Sequence, residues 1–307
     1  MRDRVVVRSP ATIANFGPGF DCFGICLESP SDVVSIRKAP EGRRELKVLG
    51  GYPVPSDPAK NTASYSAMRL AELCGFPDAG FCMSVRKGIR PGSGLGSSAA
   101  SSAGGALAMA VLLGVQSKEV ILEAAAMGEE LVSGSRHFDN VAAALYGGFT
   151  VVSDHSTRRV IRLRPPSFKI IVALPEISVE TRRAREILPG HVPIESAVRN
   201  IALASGMVHA VMKRDIRSMG VHLDDNLAVP YRQSLIPGFE EVKKSALAAG
   251  ALGVSIGGSG PAVFAIAEAN ARKIQRAMSE AFRRAAGLRC ETFVTVPGSG
   301  AKVEVVR

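Results

Sequence analysis

The stretch Pro91-Gly92-Ser93-Gly94-Leu95-Gly96-Ser97-Ser98-Ala99-Ala100 is the most informative part of this 307-residue chain. Glycines alternate with other residues up to Gly96, and a long run of small, uncharged residues suited to a helix follows at once. This layout predicts a flexible loop that leads into the first turn of a helix. Backbone N–H groups can converge there on one concave space, and the helix N-terminus adds partial positive charge. The stretch therefore predicts a phosphate-binding loop.

Three other interpretations of this loop are possible. A purely structural turn does not need so many glycines and serines. The segment 94–99 formally fits the dinucleotide-binding pattern G-x-G-x-x-A, but that pattern should follow the first strand of a βαβ unit, whereas this loop lies some ninety residues into the chain. A P-loop is excluded because no Gly-Lys pair occurs anywhere in the chain. A phosphate-binding loop of another kind remains.

Composition narrows the class of partner. The chain is long enough for one large or two modest domains. Its formal net charge is +10, yet aromatic residues make up only 5%, Trp is absent and there is no long Lys/Arg run. The positive surplus therefore fits a site for small anionic ligands at least as well as nucleic acid, and no nucleic-acid partner is predicted.

Cysteine use and hydropathy indicate the compartment. The five cysteines are scattered and complete no Cys/His zinc pattern, which predicts free thiols in a reducing cytosol. The N-terminus lacks an apolar segment long enough for a signal peptide. The uncharged stretch 91–117 is rich in Gly and Ser, and its apolar part is too short to span a bilayer. A cytoplasmic protein without a membrane segment is predicted.

Two further loops carry polar residues that bear on function. Gly and Pro residues in the segment 9–21 should end the strand that begins at Val5 and force an irregular loop, flanked by Asn15 and Asp21. Both side chains can face one cavity, although Asn15 can equally cap its own turn. A second glycine loop, 255–261, lies between two predicted strands in the C-terminal half.

Polar and charged residues also cluster in three other segments. His137, Asp139 and Asn140 lie where a helix begins, so they either meet a ligand or simply cap the helix. Three arginines occur within positions 182–185, which indicates either a solvated face or contacts to an anionic substrate. The predicted helix 119–132 carries two adjacent carboxylates, Glu129 and Glu130.

The periodicity of apolar residues predicts the helices and strands, and a linker-like segment divides them between two domains. Helices are predicted at 61–73, 97–114, 119–132, 142–146, 197–213 and 269–286, and strands at 5–7, 31–37, 81–86, 149–152, 160–163, 168–174, 254–256, 262–267, 290–296 and 303–306. The most linker-like point, Arg164-Pro165-Pro166, divides the chain into predicted domains 1–164 and 165–307. In the second domain the last two strands should close a sheet that carries helices on one face.

The segments 9–21, 91–100 and 255–261, taken together and in this order, resemble the three motifs of the GHMP superfamily of small-molecule kinases, which includes galactokinase and mevalonate kinase. The resemblance covers nearly the whole chain. It implies an α+β, two-domain protein with a ribosomal-protein-S5-like N-terminal domain, which binds ATP, and a ferredoxin-like C-terminal domain. It also implies ATP and Mg²⁺ as cofactors and, weakly, a homodimer.

The resemblance implies roles for individual residues. Asn61 is placed at the adenine, and Ser98 and Glu130 at Mg²⁺, a cation that takes oxygen ligands. The triphosphate is placed in the glycine loop, at Arg90, Pro91, Gly92, Ser93, Gly94, Leu95, Gly96, Ser97, Ser98, Ala99 and Ala100.

Within the superfamily, the motifs look most like the branch that phosphorylates the hydroxyl of L-homoserine, a step of threonine biosynthesis. This implies that Asp21 pairs with the substrate ammonium, while Arg185 and Arg232 bind its carboxylate through their planar guanidinium groups. The rest of the pocket is then formed by Asn15, His137, Asn140, Thr181 and Gly260.

In mevalonate kinase, an Asp in the stretch before the Gly-Gly break looks like the general base. Counted back from Gly147, the matching position in this chain is Asn140, with Asp139 one residue earlier. An amide cannot accept a proton at neutral pH, so the hypothesis is that Asn140 orients the hydroxyl, with catalysis by positioning and charge neutralisation. Two alternatives remain: a kinase for mevalonate or a related acceptor, and a nucleotide-binding regulator without catalysis. Mevalonate has no ammonium and would leave Asp21 unpaired, and a regulator should have lost the metal carboxylate or the loop serines, all of which are present.

Overall fold

The computed structural model describes residues 3–306, without the side chain of residue 133. The strands are β1 (Arg4–Ala14), β2 (Phe23–Ala39), β3 (Arg44–Leu49), β4 (Gly80–Arg86), β5 (Phe149–Asp154), β6 (Arg159–Leu163), β7 (Lys169–Pro175), β8 (Gly253–Ile256), β9 (Val263–Ala267), β10 (Cys290–Thr295) and β11 (Lys302–Val306). The helices are α1 (Thr62–Leu73), α2 (Ser97–Leu113), α3 (Lys118–Ser133), α4 (Phe138–Tyr146), α5 (Thr181–Glu186), α6 (Ile194–Lys213), α7 (Ile216–Val221), α8 (Val229–Arg232), α9 (Phe239–Ala248) and α10 (Ala271–Ala286).

The first sheet has the strand order β11-β1-β2-β4-β3, and β5 and β6 continue from β2. Alternate residues of its strands, such as Met83 and Val85, are buried against α1–α4. At the centre of this layer, α2 packs so closely that a Cβ atom on Gly105 would lie 1.9 Å from the carbonyl oxygen of Ala63. The small residues after the glycine loop therefore let α2 approach its neighbours.

The second sheet has the order β10-β7-β9-β8 and is antiparallel throughout. One face is buried against α9 and α10, whose Val242 and Phe282 belong to the same apolar cluster as Ile171. On the other face, Met207 of α6 packs into a cluster with Ile170. Helices therefore cover both faces, and the prediction of helices on one face alone was wrong.

An apolar cluster shared by the two sheets fixes the segment that follows β1. The ring of Phe16 stacks on Phe264 of β9 with centroids 5.1 Å apart and meets Phe149 of β5 edge-on at 5.8 Å. All three rings are fully buried. Since these residues come from both sheets, the loop between β1 and β2 is held at the junction between them.

Most predicted elements are confirmed, with several corrections. The strand β2 begins at Phe23 rather than at Ser31, and the helices α5 and α7 were not predicted. Asn61 caps α1 through a hydrogen bond from the Ala63 amide, and α2 ends at Gly114, as predicted. The first strand does not stop before Pro10: β1 continues to Ala14, with a register shift after Pro10. The short strand β3 was not predicted. The segment 303–306 does not close the second sheet, because β11 pairs with β1 in the first. The division into domains at 164/165 stays a prediction.

Candidate active site

Backbone hydrogen bonds join the three sequence motifs at the junction of the two sheets. The Thr12 amide donates to the Leu95 carbonyl at 3.1 Å, and the Ala262 amide donates to the Ser93 carbonyl at 3.1 Å. The Gly258 amide donates to the Ala14 carbonyl at 3.0 Å. Segments far apart in sequence therefore form one continuous site, as the motif triplet predicts.

The glycine loop needs glycine where the other two motifs approach it. Gly94 and Gly96 both adopt positive φ angles, of 79° and 62°. A Cβ atom on Gly94 would lie 2.4 Å from the Gly257 carbonyl oxygen, and one on Gly96 would lie 2.0 Å from the Thr12 hydroxyl. Because only glycine avoids both the strain and the clash, the alternating glycines follow from the packing as well as from the predicted ligand. The loop leads directly into the N-terminus of α2, with Gly96 as its cap.

Two residues predicted to contact the nucleotide have other partners in the structure. Asn61 is buried; its Oδ1 accepts from the Ala63 amide at 3.1 Å, and its Nδ2 donates to the Pro55 carbonyl at 2.8 Å. Arg90 lies at the start of the loop and reaches the carbonyl of Ile177 at 3.5 Å. Asn61 therefore shapes the entrance to α1, and its contact with adenine stays a prediction.

Of the two adjacent carboxylates of α3, one is buried and the other is exposed. Glu130 is exposed and pairs with Arg136 at 2.8 Å. Glu129 is buried and accepts a hydrogen bond from the Ser98 hydroxyl. The structure thus does not bring Glu130 to Ser98, because one step along a helix rotates a side chain by about 100°. Glu129 occupies the position that the sequence analysis assigned to Glu130.

Burial sets the protonation of the groups around Glu129. Burial raises the pKa of Glu129 to about 7, while the hydrogen bond from Ser98 and the charge of Lys87 oppose this rise. The Nδ1 atom of His137 lies 4.0 Å from Glu129 Oε2. Burial lowers the pKa of His137, so its imidazole is neutral at neutral pH.

Asn140 and Asp139 begin helix α4 and face different partners. The Thr12 hydroxyl donates to Asn140 Oδ1 at 2.8 Å, at the edge of the glycine loop. Asp139 is buried; its carboxylate accepts from the Asn140 amide at 2.9 Å and from the backbone of Asn15. Burial raises the pKa of Asp139 to about 7, with a smaller contribution from the charge of Asp21. Asp139 therefore ties together the two segments that carry Asn15 and Asn140.

Charged side chains form the outer wall of the site. Arg185 of α5 makes a two-pronged ion pair with Asp21, at 2.7 and 3.1 Å, and its Nη2 lies 3.3 Å from His137 Nε2. Asn15 Oδ1 accepts from the Asp21 amide at 2.8 Å, and Asn15 Nδ2 donates to the Gly258 carbonyl at 3.2 Å. Asn15 thus does bridge its own turn, as one interpretation held, and it also joins that turn to the second glycine loop.

The two predicted carboxylate-binding arginines lie against one aromatic ring. The guanidinium carbons of Arg185 and Arg232 each lie 5.3 Å from the ring centroid of Phe20. Arg232 is buried and donates to the carbonyls of Ala184 at 3.1 Å and Gly258 at 2.9 Å. Phe20 was not recognised from the sequence, because an aromatic residue in a loop carries no signal for a cation–π contact with arginines distant in sequence.

The remaining predicted pocket residues lie along the second glycine loop. The Thr181 hydroxyl, at the start of α5, is 3.4 Å from the Ser259 hydroxyl. Gly260 has a positive φ of 84°, and its carbonyl oxygen would be 2.8 Å from a Cβ atom on Gly94. These contacts bring α5, the second glycine loop and the phosphate loop to one rim.

The described part of the chain holds no cluster of three or more His, Cys, Asp or Glu side chains that could bind a metal ion. Within residues 3–306, no helix is long and apolar enough to cross a membrane.

Comparison with known families agrees with this geometry. Residues 61–148 match the model described as "GHMP kinases N terminal domain", and residues 207–284 match "GHMP kinases C terminal". The homoserine kinase of Pyrococcus furiosus is 48% identical over 296 residues, which cover 96% of this chain and 99% of that protein. The homoserine kinase of Thermococcus gammatolerans is 46% identical over 295 residues, covering 96% and 98%.

Solved structures of other proteins share this fold. The crystal structure of homoserine kinase from Cytophaga hutchinsonii superposes with a TM-score of 0.91 at 38% identity, covering 99% of this chain and 98% of that one. Leishmania major mevalonate kinase, at 15% identity and a TM-score of 0.71, shares the fold alone. The chain belongs to the GHMP kinases, and use of ATP follows from that membership. Its near full-length relatives named here are homoserine kinases, so the predicted family and fold class are confirmed.

Proposed function

We propose that the protein transfers the γ-phosphoryl group of ATP to the hydroxyl of L-homoserine, as the names of its relatives suggest. The observation that supports this assignment is a cluster of one carboxylate and two guanidinium groups: Asp21 pairs with Arg185, and Arg185 and Arg232 lie against the same ring of Phe20. This set of charges is complementary to an amino acid, whose ammonium and carboxylate groups need partners of opposite sign.

The Asp21–Arg185 ion pair explains how such a pocket selects a zwitterion. In the absence of substrate, the two charges satisfy each other, and both side chains are partly exposed, at 30% and 42%. An amino acid replaces this pair with two new ones, since its ammonium pairs with Asp21 and its carboxylate with Arg185. A ligand with only one of the two charges would leave a protein charge without a partner, which is costly in a desolvated pocket.

Ser98 and Glu129 are the proposed ligands of Mg²⁺. A hydroxyl and a carboxylate are hard oxygen donors, and Mg²⁺ in kinases takes one or two protein ligands besides phosphate oxygens and water. The donor set therefore fits the metal, which would neutralise negative charge on the phosphates when bound. Glu130 is exposed and pairs with Arg136, so it is not proposed as a ligand.

Positioning of the acceptor hydroxyl is assigned to Asn140. Because Oδ1 accepts from Thr12, the amide group Nδ2 remains to donate a hydrogen bond to the substrate oxygen. In the reaction, a bond forms from this oxygen to the γ-phosphorus, and the bond to the bridging oxygen of ADP breaks. The hydroxyl proton passes to an oxygen of the transferred group, since a loose transition state asks little of a protein base.

The experiment is a turnover assay with purified protein, ATP and Mg²⁺. L-Homoserine is compared with mevalonate, with 4-hydroxybutyrate, which lacks the ammonium, and with 3-amino-1-propanol, which lacks the carboxylate. We expect ADP release and a new phosphomonoester signal in ³¹P NMR with homoserine alone. Turnover with mevalonate alone would overturn the acceptor but keep the kinase class. No turnover, together with ATP binding by calorimetry, would favour a regulator.

A homodimer is the proposed assembly. The outward face of α6 exposes Ile194, Val198, Ile201 and Met212, which recur at helical spacing. A large apolar helix face of this kind is typical of an interface. Light scattering should give twice the chain mass. Ile201→Glu should give a monomer, whereas Ile161→Glu, on the exposed strand β6, should not.

A cytoplasmic location stays a prediction. The five cysteines are free thiols, which is the state expected of cysteines in a reducing cytosol.

A further inference from the structure

A buried ion pair lies beneath the glycine loop and has no role in the mechanism above. The ammonium of Lys87, directly after β4, contacts the carboxylate of Asp32 in β2. Their side chains are only 2% and 0% exposed. Two buried charges are costly unless each is fully hydrogen-bonded, so their other partners indicate what the pair does.

One side of the pair is bound to the start of the loop. Asp32 Oδ1 accepts hydrogen bonds from the amides of Gly88 at 2.9 Å and Ile89 at 3.1 Å. These residues directly precede the loop that begins at Arg90. A single carboxylate oxygen thus fixes the direction in which the chain enters the loop.

The other side is bound to the end of the loop. Lys87 Nζ donates to the carbonyl of Ser97, the first residue of α2, at 3.0 Å, and to the Ser101 hydroxyl at 2.8 Å. The Ser101 hydroxyl donates in turn to Asp32 Oδ2 at 2.7 Å. The Ser97 hydroxyl closes the base of the loop directly, by donating to the Ile89 carbonyl at 2.9 Å.

The loop is held in its middle by hydrogen bonds from the Thr12 and Ala262 amides, and anchors at its two ends complete this support. Its three glycines, at positions 92, 94 and 96, all have positive φ, a conformation that an unanchored chain does not keep. Amides that converge on a phosphate gain affinity only when they are held in place before the ligand arrives. A network that holds the segments 88–89 and 97–101 together sets the span of the loop.

We propose that Asp32, Lys87 and Ser101 form a clamp of positioning residues that fixes the glycine loop for the phosphates of ATP. The proposal rests on the assignment of this loop to ATP. The clamp acts through backbone geometry. The charge of Lys87 also lowers the pKa of Glu129, so Ser101→Ala, which keeps that charge, isolates the effect on the loop. Loss of the clamp should therefore weaken nucleotide binding selectively, and leave the acceptor pocket on the other side of the loop nearly unchanged.

The test compares Ser101→Ala and Lys87→Met with a matched control, Asn200→Ala. Asn200 is also buried, but it supports the acceptor side: its Nδ2 donates to the Pro18 carbonyl at 2.8 Å, and its Oδ1 accepts from the Asn226 amide at 3.1 Å. For each variant, the ADP dissociation constant is measured by calorimetry, and KM is measured separately for ATP and homoserine. Circular dichroism confirms the fold.

The clamp predicts opposite selectivity in the two kinds of variant. Lys87→Met should weaken ADP binding and raise KM for ATP about tenfold, and Ser101→Ala about threefold, with KM for homoserine within twofold. Asn200→Ala should raise KM for homoserine instead. Ser101→Ala leaves the ion pair in place, so it decides the question even if Lys87→Met does not fold.

Two results would overturn the clamp. One is unchanged ADP binding in folded Ser101→Ala and Lys87→Met, and the other is an equal loss of affinity for both substrates. Failure of the proposed function looks different: wild-type protein would bind ADP but not phosphorylate homoserine. Because the ADP measurement needs no acceptor, the clamp is tested in either case.

Discussion

The two sides of the site differ in the chemical groups that form them. The side proposed to bind phosphates, the phosphate side, consists of backbone amides, three glycines and the buried network of Asp32 and Lys87. The side proposed to bind the acceptor, the acceptor side, consists of charged side chains, two of which, Asp21 and Arg185, are partly exposed. Phosphates are common to all family substrates, so a rigid backbone cradle suits them. The acceptor differs among members, and side chains that can exchange partners determine it.

The largest expected effect is on the acceptor side. Arg232→Ala should weaken homoserine binding by about 2–5 kcal/mol, because the guanidinium is buried and its loss leaves the substrate carboxylate unpaired. KM for ATP should stay within twofold. The measurement is KM for both substrates, with the exposed Arg183→Ala as control. An equal rise in KM for both substrates would indicate misfolding and would contradict the proposed separation of the two sides.

Glu129 tests the metal on the phosphate side. Glu129→Gln should lower kcat about 10²–10³-fold by removing a buried negative charge at the Ser98 hydroxyl. Glu130→Gln is the matched control, since it removes the adjacent but exposed carboxylate, and it should keep turnover within twofold. A large loss of kcat in Glu130→Gln, with little change in Glu129→Gln, would instead favour Glu130 as the Mg²⁺ ligand.

Phe20 tests how far the acceptor side is prearranged. Phe20→Leu removes the ring shared by Arg185 and Arg232, and should weaken homoserine binding by about 0.5–2 kcal/mol with unchanged kcat. Phe76→Leu, at an exposed ring remote from the site, is the control. If Phe20→Leu behaved like this control, the two arginines would be held by their backbone contacts alone.

Asp139 tests whether a side chain acts as base. Asp139→Asn should lower kcat less than about tenfold, because Asp139 is not proposed as a base and an amide oxygen can still accept from the backbone amide of Asn140. Loss of a true general base would lower kcat by at least ~10²-fold. The pH profile of kcat is measured alongside. A fall of three orders of magnitude in a folded variant would identify Asp139 as the proton acceptor.

The smallest effect concerns pH. The pKa of Glu129 in the folded protein, about 7, exceeds its ordinary value of 4.5. The protonated form therefore favours folding, and this contribution is lost as pH rises through about 7. Mg²⁺ needs the ionised form, so the increase in Tm caused by Mg²⁺ with ADP should be greater at pH 8 than at pH 6. Glu129→Gln should remove this difference.

Helical spacing in α3 does not separate Glu129 from Glu130. Glu129 follows the buried residues Leu122, Ala125 and Ala126 at helical spacing, but Glu130 also follows the buried residues Glu123 and Ala126 at helical spacing. Periodicity alone therefore leaves both carboxylates as candidates, and only the packing of α3 shows which one is buried.

Other contacts had no local signal. Lys87 and Asp32 are 55 residues apart, and each reads as an ordinary charge beside a strand. Their burial depends on the packing of α2 against the first sheet. The same holds for β11, whose short alternating pattern fits either sheet and which pairs with β1 only through the tertiary arrangement.

The sequence by itself determined the glycine loop, the close packing of α2 and membership of the family, because glycines and small residues at fixed positions act over a few neighbouring residues. Only the tertiary structure decided which charges are paired or buried and which carboxylate faces Ser98. Those properties depend on distances between segments far apart in the chain, and electrostatic free energies follow distance and burial rather than residue type.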